Sequence, residues 1–148
     1  MAKQMNETVV KKHILHWLYH NGWGTNAEVA ELREHGVDIK VKNNKVGRFF
    51  LIETKGEAKA KTTNENSFVV SLGQIITRMK GIEAGYYYGL GLPESIAKIA
   101  IGGRVPWQVA KKLQLHILSV DRTGKVRDFK PKDLKKIQSQ KKKTRDRG

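Results

Sequence analysis

The chain has 148 residues, with 29 Lys and Arg against 14 Asp and Glu, for a formal net charge of +15. That length suits one domain, and the lack of cysteine excludes disulfides, thiolate zinc sites and a cysteine nucleophile. No apolar run approaches the roughly 18 residues of a membrane span, and the opening MAKQMNETVV has no apolar secretory stretch, so the expectation is a cytoplasmic protein without a membrane partner.

In chain order, residues 6–20 predict an amphipathic helix. Val10, Ile14, Trp17 and Leu18 form its apolar stripe, Asn6 is the N-cap candidate and Gly22 the stop. AEVAELRE, 27–34, reads either as a short strand or as a charged helical turn. GVDIKV, 36–41, alternates as a strand, with Val37, Ile39 and Val41 on one face and Asp38 and Lys40 on the other. KNNKVG, 42–47, has hairpin-turn composition, and RFFLIETKG, 48–56, supplies the partner strand. A polar loop is expected over 57–67, followed by a helix through SLGQIITRMKGIEAG with Leu72, Ile75, Ile76 and Met79 as its apolar stripe.

YYYGLGLP, 86–93, predicts a buried strand ended by Pro93. A short helix over 94–101 is broken by Gly102 and Gly103, and Pro106 opens another over WQVAKKLQ. LHILSV, 115–120, and KVRDF, 125–129, form a final hairpin across DRTG. The alternation predicts an α/β fold: a central mixed β-sheet flanked by helices on both faces.

The charge is uneven. Residues 130–148 hold nine Lys and Arg against two Asp, a net of +7. Beyond Leu134 and Ile137 this segment offers no side chain to bury, so a basic, disordered arm that meets a polyanion is expected there. Residues 1–129 remain basic at a net of +8, a balance that points to nucleic acid through counterion release at phosphates.

Chemistry concentrates in Asp38, Glu53 and Lys55. The hairpin between the two strands can set the two carboxylates side by side. Glu53 and Lys55, two residues apart, share a face, while the Thr54 side chain points away and leaves its carbonyl near the same place. Two carboxylates and a carbonyl are hard oxygen ligands suited to Mg2+ or Mn2+. Such an ion polarises a phosphoryl oxygen, and the Lys55 ammonium can orient or deprotonate the attacking water or stabilise charge on the phosphate. The apolar run Phe49 to Ile52 marks a central strand, at whose end buried charges need partners.

Asp38, the Glu53-Thr54-Lys55 tripeptide and a following helix with Gln74 resemble the PD-(D/E)XK nuclease superfamily. In style the arrangement is similar to archaeal Holliday junction resolvases and Mrr-like restriction endonucleases. Val37 stands where the usual Pro precedes the Asp. The resemblance spans roughly residues 7–92 and implies a restriction-endonuclease-like fold over 1–129. It implies a metal-dependent DNA endonuclease that hydrolyses phosphodiester bonds in branched or duplex DNA, in repair, recombination or restriction, and a homodimer. The alternative is a catalytically inactive nuclease-fold module that only binds nucleic acid.

Two more positions follow from the resemblance. Glu7 corresponds to a first-helix Glu that joins the metal; its other reading is a first-turn acid favourable to the helix dipole. Gln74 corresponds to a helical Gln that contacts DNA backbone or a metal-bound water, or else it is a surface residue. Lys59, Lys61, Arg78, Lys141, Lys142 and Lys143 are candidate phosphate contacts. His13, His16 and His20 read as one partly exposed helix face, and Tyr86, Tyr87 and Tyr88 read as core strand residues rather than base-stacking platforms.

Overall fold

Among the described residues, six strands build one sheet in the order β1 to β6, and every neighbour in the sheet is a neighbour in sequence. The computed structural model describes residues 5–23, 27–29, 38–43, 47–57, 61–79, 81 and 85–147. The elements are α1 (Glu7–Leu18), β1 (Ala27–Val29), β2 (Ile39–Asn43), β3 (Arg48–Thr54), α2 (Lys61–Thr77), β4 (Tyr86–Pro93), α3 (Glu94–Ile99), α4 (Trp107–Leu113), β5 (Leu115–Val120), β6 (Val126–Phe129) and α5 (Pro131–Arg147). The ambiguous 27–34 segment contains β1; its remaining residues, and Val37, lie outside the described residues.

Pairing is antiparallel from β1 to β3, parallel across β3, β4 and β5, and antiparallel again from β5 to β6. The two parallel steps advance in the same direction across the sheet. Right-handed crossovers therefore set their helices on one face. This is observed: α2, α3 and α4 cover one face, where Leu51, Phe68, Ile75, Leu90 and Ile117 share a core. α1 covers the other face, where Val10, Ile14 and Leu18 meet Ile39, Val41, Phe50 and Ile52. The protein is thus a mixed α/β sheet with helices on both faces.

α1 is seated by its sequence. The Asn6 side chain accepts from the Val9 amide at 2.9 Å, which caps the first turn. Val10, Ile14 and Leu18, at i, i+4 and i+8, are fully buried, each contributing roughly 1.5–3 kcal/mol. Gly22 adopts φ +85 just beyond the helix. Gly91 on β4 lets α1 approach closely, since a side chain there would collide with Ile14 and Thr54.

Two expectations are corrected. The predicted loop over 57–67 is helical from Lys61, so α2 begins ten residues before Ser71. Its buried side is Phe68, Ser71 and Ile75, with Leu72 and Met79 partly buried, whereas Ile76 is exposed. The Ser71 hydroxyl satisfies itself on the Phe68 carbonyl, so a polar residue at a core position costs little.

The expected disordered arm at 130–148 is helical from Pro131 to Arg147. Leu134 is fully buried in the core beneath α4. The Gln138 side chain accepts from the Trp107 amide at 2.9 Å and donates to the carbonyls of Val105 at 2.9 Å and Ile101 at 3.2 Å. One glutamine thereby satisfies backbone groups at the start of α4 and in the turn before it, and helps dock α5 there.

Candidate metal centre at the end of the third strand

The hairpin register carries the site. Ile39 pairs with Ile52 and Val41 with Phe50, so paired positions sum to 91, and the next step outward sets Asp38 opposite Glu53. Asp38 does not continue the ladder. Its Oδ2 accepts instead from the Thr54 amide at 2.8 Å and lies 3.1 Å from the Thr54 hydroxyl. The carboxylate thus closes the end of β3 where a main-chain partner is missing. The same carboxyl lies within hydrogen-bonding reach of Glu53.

Glu53 is 2 % exposed. Burial, the largest influence, pushes its carboxyl up from 4.5 to about 7. The Arg78 guanidinium pulls it back down and the Asp38 carboxylate pushes it up. Arg78 Nη1 donates to Glu53 Oε2 over 2.6 Å. On the other side, Lys11 Nζ stands 3.9 Å from Asp38 Oδ1. Both carboxylates of the sequence reading therefore converge, and each already has a side-chain cation beside it.

Glu7 reaches the same place from α1: its Oε1 is 3.4 Å from the Thr54 hydroxyl. A clip fixes this approach. The Met5 amide donates to Glu57 Oε1 at 2.9 Å, and the Glu57 amide donates to the Met5 carbonyl at 2.7 Å. Between them, Gly56 lies so close to the Asn6–Glu7 backbone that any side chain would collide with it. Glycine after the Glu-Thr-Lys tripeptide is what admits the start of α1, and with it Glu7, to the site.

The Lys55 amide donates to the Gly91 carbonyl at 3.1 Å, extending strand geometry one residue past β3. Alternation then returns Lys55 to the Glu53 face. Lys55 is half-exposed and forms no ion pair among the described residues. Gln74 lies one helical turn before Arg78 on the same side of α2, and its Oε1 is buried with no hydrogen-bond partner among the described residues. A buried acceptor left open costs free energy until a donor arrives.

Sequence reasoning misses three roles. It gives Thr54 only its carbonyl, yet the Thr54 hydroxyl links Asp38 to Glu7. Arg78, expected at phosphate, is committed to Glu53, and Lys11 joins the site as the cation beside Asp38. Their spacing holds the signal, since Arg78 follows Gln74, and Lys11 follows Glu7, by one turn.

Lys61 opens α2, and Lys141, Lys142 and Lys143 fall in the C-terminal half of α5. Lys59 lies outside the described residues. His16 and His20 are edge-to-face at 5.6 Å. Among the described residues no three His, Cys, Asp or Glu side chains group closely enough to hold a metal by themselves. A cation at Asp38 and Glu53 would take its other ligands from main chain or water.

Compared with family models, curated proteins and solved structures, the chain matches none. Among the described residues no helix is long and apolar enough to cross a membrane.

Proposed function

We propose that the protein is a metal-dependent DNA endonuclease of restriction-endonuclease-like fold, hydrolysing phosphodiester bonds in branched or duplex DNA. The observation that carries the reading is the opposition of Asp38 and Glu53 across the β2–β3 hairpin, with Lys55 next on the Glu53 face. The donor set fits Mg2+ or Mn2+: hard oxygens, one carboxylate buried, and a proton or cation needed to relieve their repulsion. Asp38, Glu53 and the Thr54 carbonyl would hold the ion, with Glu7 positioned nearby through Thr54. When bound, the ion supplies Lewis-acid charge at a phosphoryl oxygen.

The chain's own residues do the rest. Thr54 holds Asp38 toward Glu53 through its amide and hydroxyl. Lys55 orients water or stabilises negative charge on the phosphate. Gln74 offers its open acceptor to a water or hydroxyl of the substrate. Arg78 neutralises Glu53 when no ion does. A net charge of +15 gathers DNA, and a homodimer would present two such centres to two strands.

A second reading has its own observation. Arg78 and Lys11 already supply a cation to each carboxylate, as in a nuclease-fold module that binds nucleic acid without cutting it. The test is a panel of four-way junction, duplex and single-stranded DNA, incubated with Mg2+ or with EDTA, beside Lys55→Ala. Cleavage that needs Mg2+ and is lost in Lys55→Ala supports the nuclease. DNA binding with no Mg2+-dependent cleavage supports the module.

A further inference from the structure

At the opposite end of the same strands lies a cavity of about 590 Å³, within the range of small-molecule sites. Arg48 on its rim and Glu53 are five residues apart on β3, about 17 Å at 3.3 Å per residue. The cavity is therefore separate from the carboxylate centre, and its chemistry is independent of the nuclease reading.

Its walls are aromatic. Trp23, Phe50, Tyr87 and Trp107 line it, drawn from the turn after α1, from β3, from β4 and from α4. Trp23 and Phe50 have ring centroids 5.3 Å apart. The His116 ring sits edge-to-face with Phe50 at 5.2 Å and with Tyr87 at 5.8 Å. Asp128 Oδ1 lies 2.9 Å from His116 Nδ1 and fixes the imidazole.

Its rim is cationic. Arg48, Lys111, Lys130, Lys132 and Lys135 border the cavity, and the one carboxylate among its described lining residues, Asp128, is taken by His116. Two of these cations already lie over aromatic faces: Lys135 Nζ is 4.8 Å from the Trp107 ring centre and the Arg48 guanidinium 5.7 Å from that of Tyr87. Flat apolar walls select a planar ring, and a ring of cations selects an anion attached to it.

We propose that this cavity is a nucleotide-binding site, with the base among Trp107, Tyr87 and Trp23 and the phosphate on the basic rim. An aromatic base carrying a phosphate is the common chemical unit that satisfies both sets of contacts. It can arrive as a free mononucleotide or as one unit of a nucleic-acid strand. Stacking supplies affinity without base choice, so the site tolerates different bases.

The experiment titrates the full chain with deoxyadenosine 5′-monophosphate, deoxyadenosine, ribose 5-phosphate and a 5′-phosphorylated oligothymidylate. Binding is read by calorimetry and by quenching of tryptophan fluorescence. The expected result is that the monophosphate binds at least tenfold tighter than either the nucleoside or the sugar phosphate. Lys135→Glu and Lys111→Glu, both at exposed positions, each weaken it at least fivefold. Lys12→Glu, on the exposed side of α1, makes the same charge change and weakens it less than twofold. Trp107→Phe keeps an aromatic ring in place and lowers the quenching. An oligonucleotide that binds tighter than the monophosphate and displaces it identifies a strand site; the reverse order identifies a free-nucleotide site. The proposal is overturned by absence of monophosphate binding, by equal affinity without base or without phosphate, or by Lys12→Glu acting as strongly as Lys135→Glu.

Discussion

Arg78 at the end of α2 donates through Nη1 to Oε2 of Glu53 at the end of β3, over 2.6 Å. The guanidinium is partly exposed and the carboxylate is nearly fully buried, so the strand's acid depends on the helix for its compensation. Arg78→Met removes the donor and leaves the buried carboxylate with Asp38 as a neighbour. At pH 8 the variant should lose roughly 2–4 kcal/mol of stability, and less at pH 6, where Glu53 can take up a proton. Under the proposed function, Mg2+ restores part of this loss. Thermal melts with and without Mg2+ check both points: the metal-induced rise should be larger in Arg78→Met than in the parent.

Glu53 also sets a pH dependence. Its carboxyl is raised from 4.5 to about 7, so the folded chain holds a proton that the unfolded chain releases between those values. The resulting stability is complete below pH 4.5 and is lost as pH rises through about 7. Glu53→Gln carries no such proton, and its stability should be flat across that window by comparison. At pH 8 it should exceed the parent by about 1–2 kcal/mol, less than the full shift because Arg78 loses its partner. Urea denaturation at a series of pH values reads the two slopes.

Gly56 controls the approach of α1. A methyl group there meets the Asn6 carbonyl carbon at 2.7 Å and the Glu7 amide nitrogen closer still. Backbone cannot yield as a side chain can, so Gly56→Ala should cost at least about 2 kcal/mol. It should also displace Glu7 from Thr54, lowering metal affinity beyond what the loss of stability explains. Denaturation and metal titration of this variant, beside the parent, separate the two effects.

Much of the fold and of the carboxylate pair is legible in the sequence, for identifiable reasons. Strict alternation in residues 39–41 and the apolar run 49–52 mark β2 and β3, and the hairpin between them places Asp38 against Glu53. Asn6, Gly22 and Pro106 mark helix ends through local backbone chemistry. Two features are illegible because they depend on tertiary partners. Residues 61–67 are polar and show no stripe of their own, and they are helical as the lead-in to Phe68 and Ile75. Among the described side chains of α5 only Leu134 is in the core, and Gln138 anchors the helix through backbone groups more than 30 residues away. The Arg78 and Lys11 ion pairs likewise join elements distant in sequence.

The two halves of α5 should separate under mutation. Leu134→Ala empties a fully buried position and should cost about 2–5 kcal/mol. Replacing Lys141, Lys142 and Lys143 together by Ala should change stability by less than about 0.5 kcal/mol. If those lysines meet DNA phosphate, the triple variant should reduce the slope of log affinity against log salt by up to about 2.7, at roughly 0.9 per phosphate contact. Chemical denaturation and salt-dependent DNA titration check the pair.

The most direct measurement is a calorimetric titration of the full chain with Mn2+ at pH 8, where Glu53 is ionised. Asp38→Asn and Glu53→Gln are titrated beside the parent. Saturable Mn2+ binding in the parent that weakens at least tenfold in each variant is the predicted result. Absence of saturable binding, or binding unchanged in both variants, would contradict the assignment of these two carboxylates to a divalent cation.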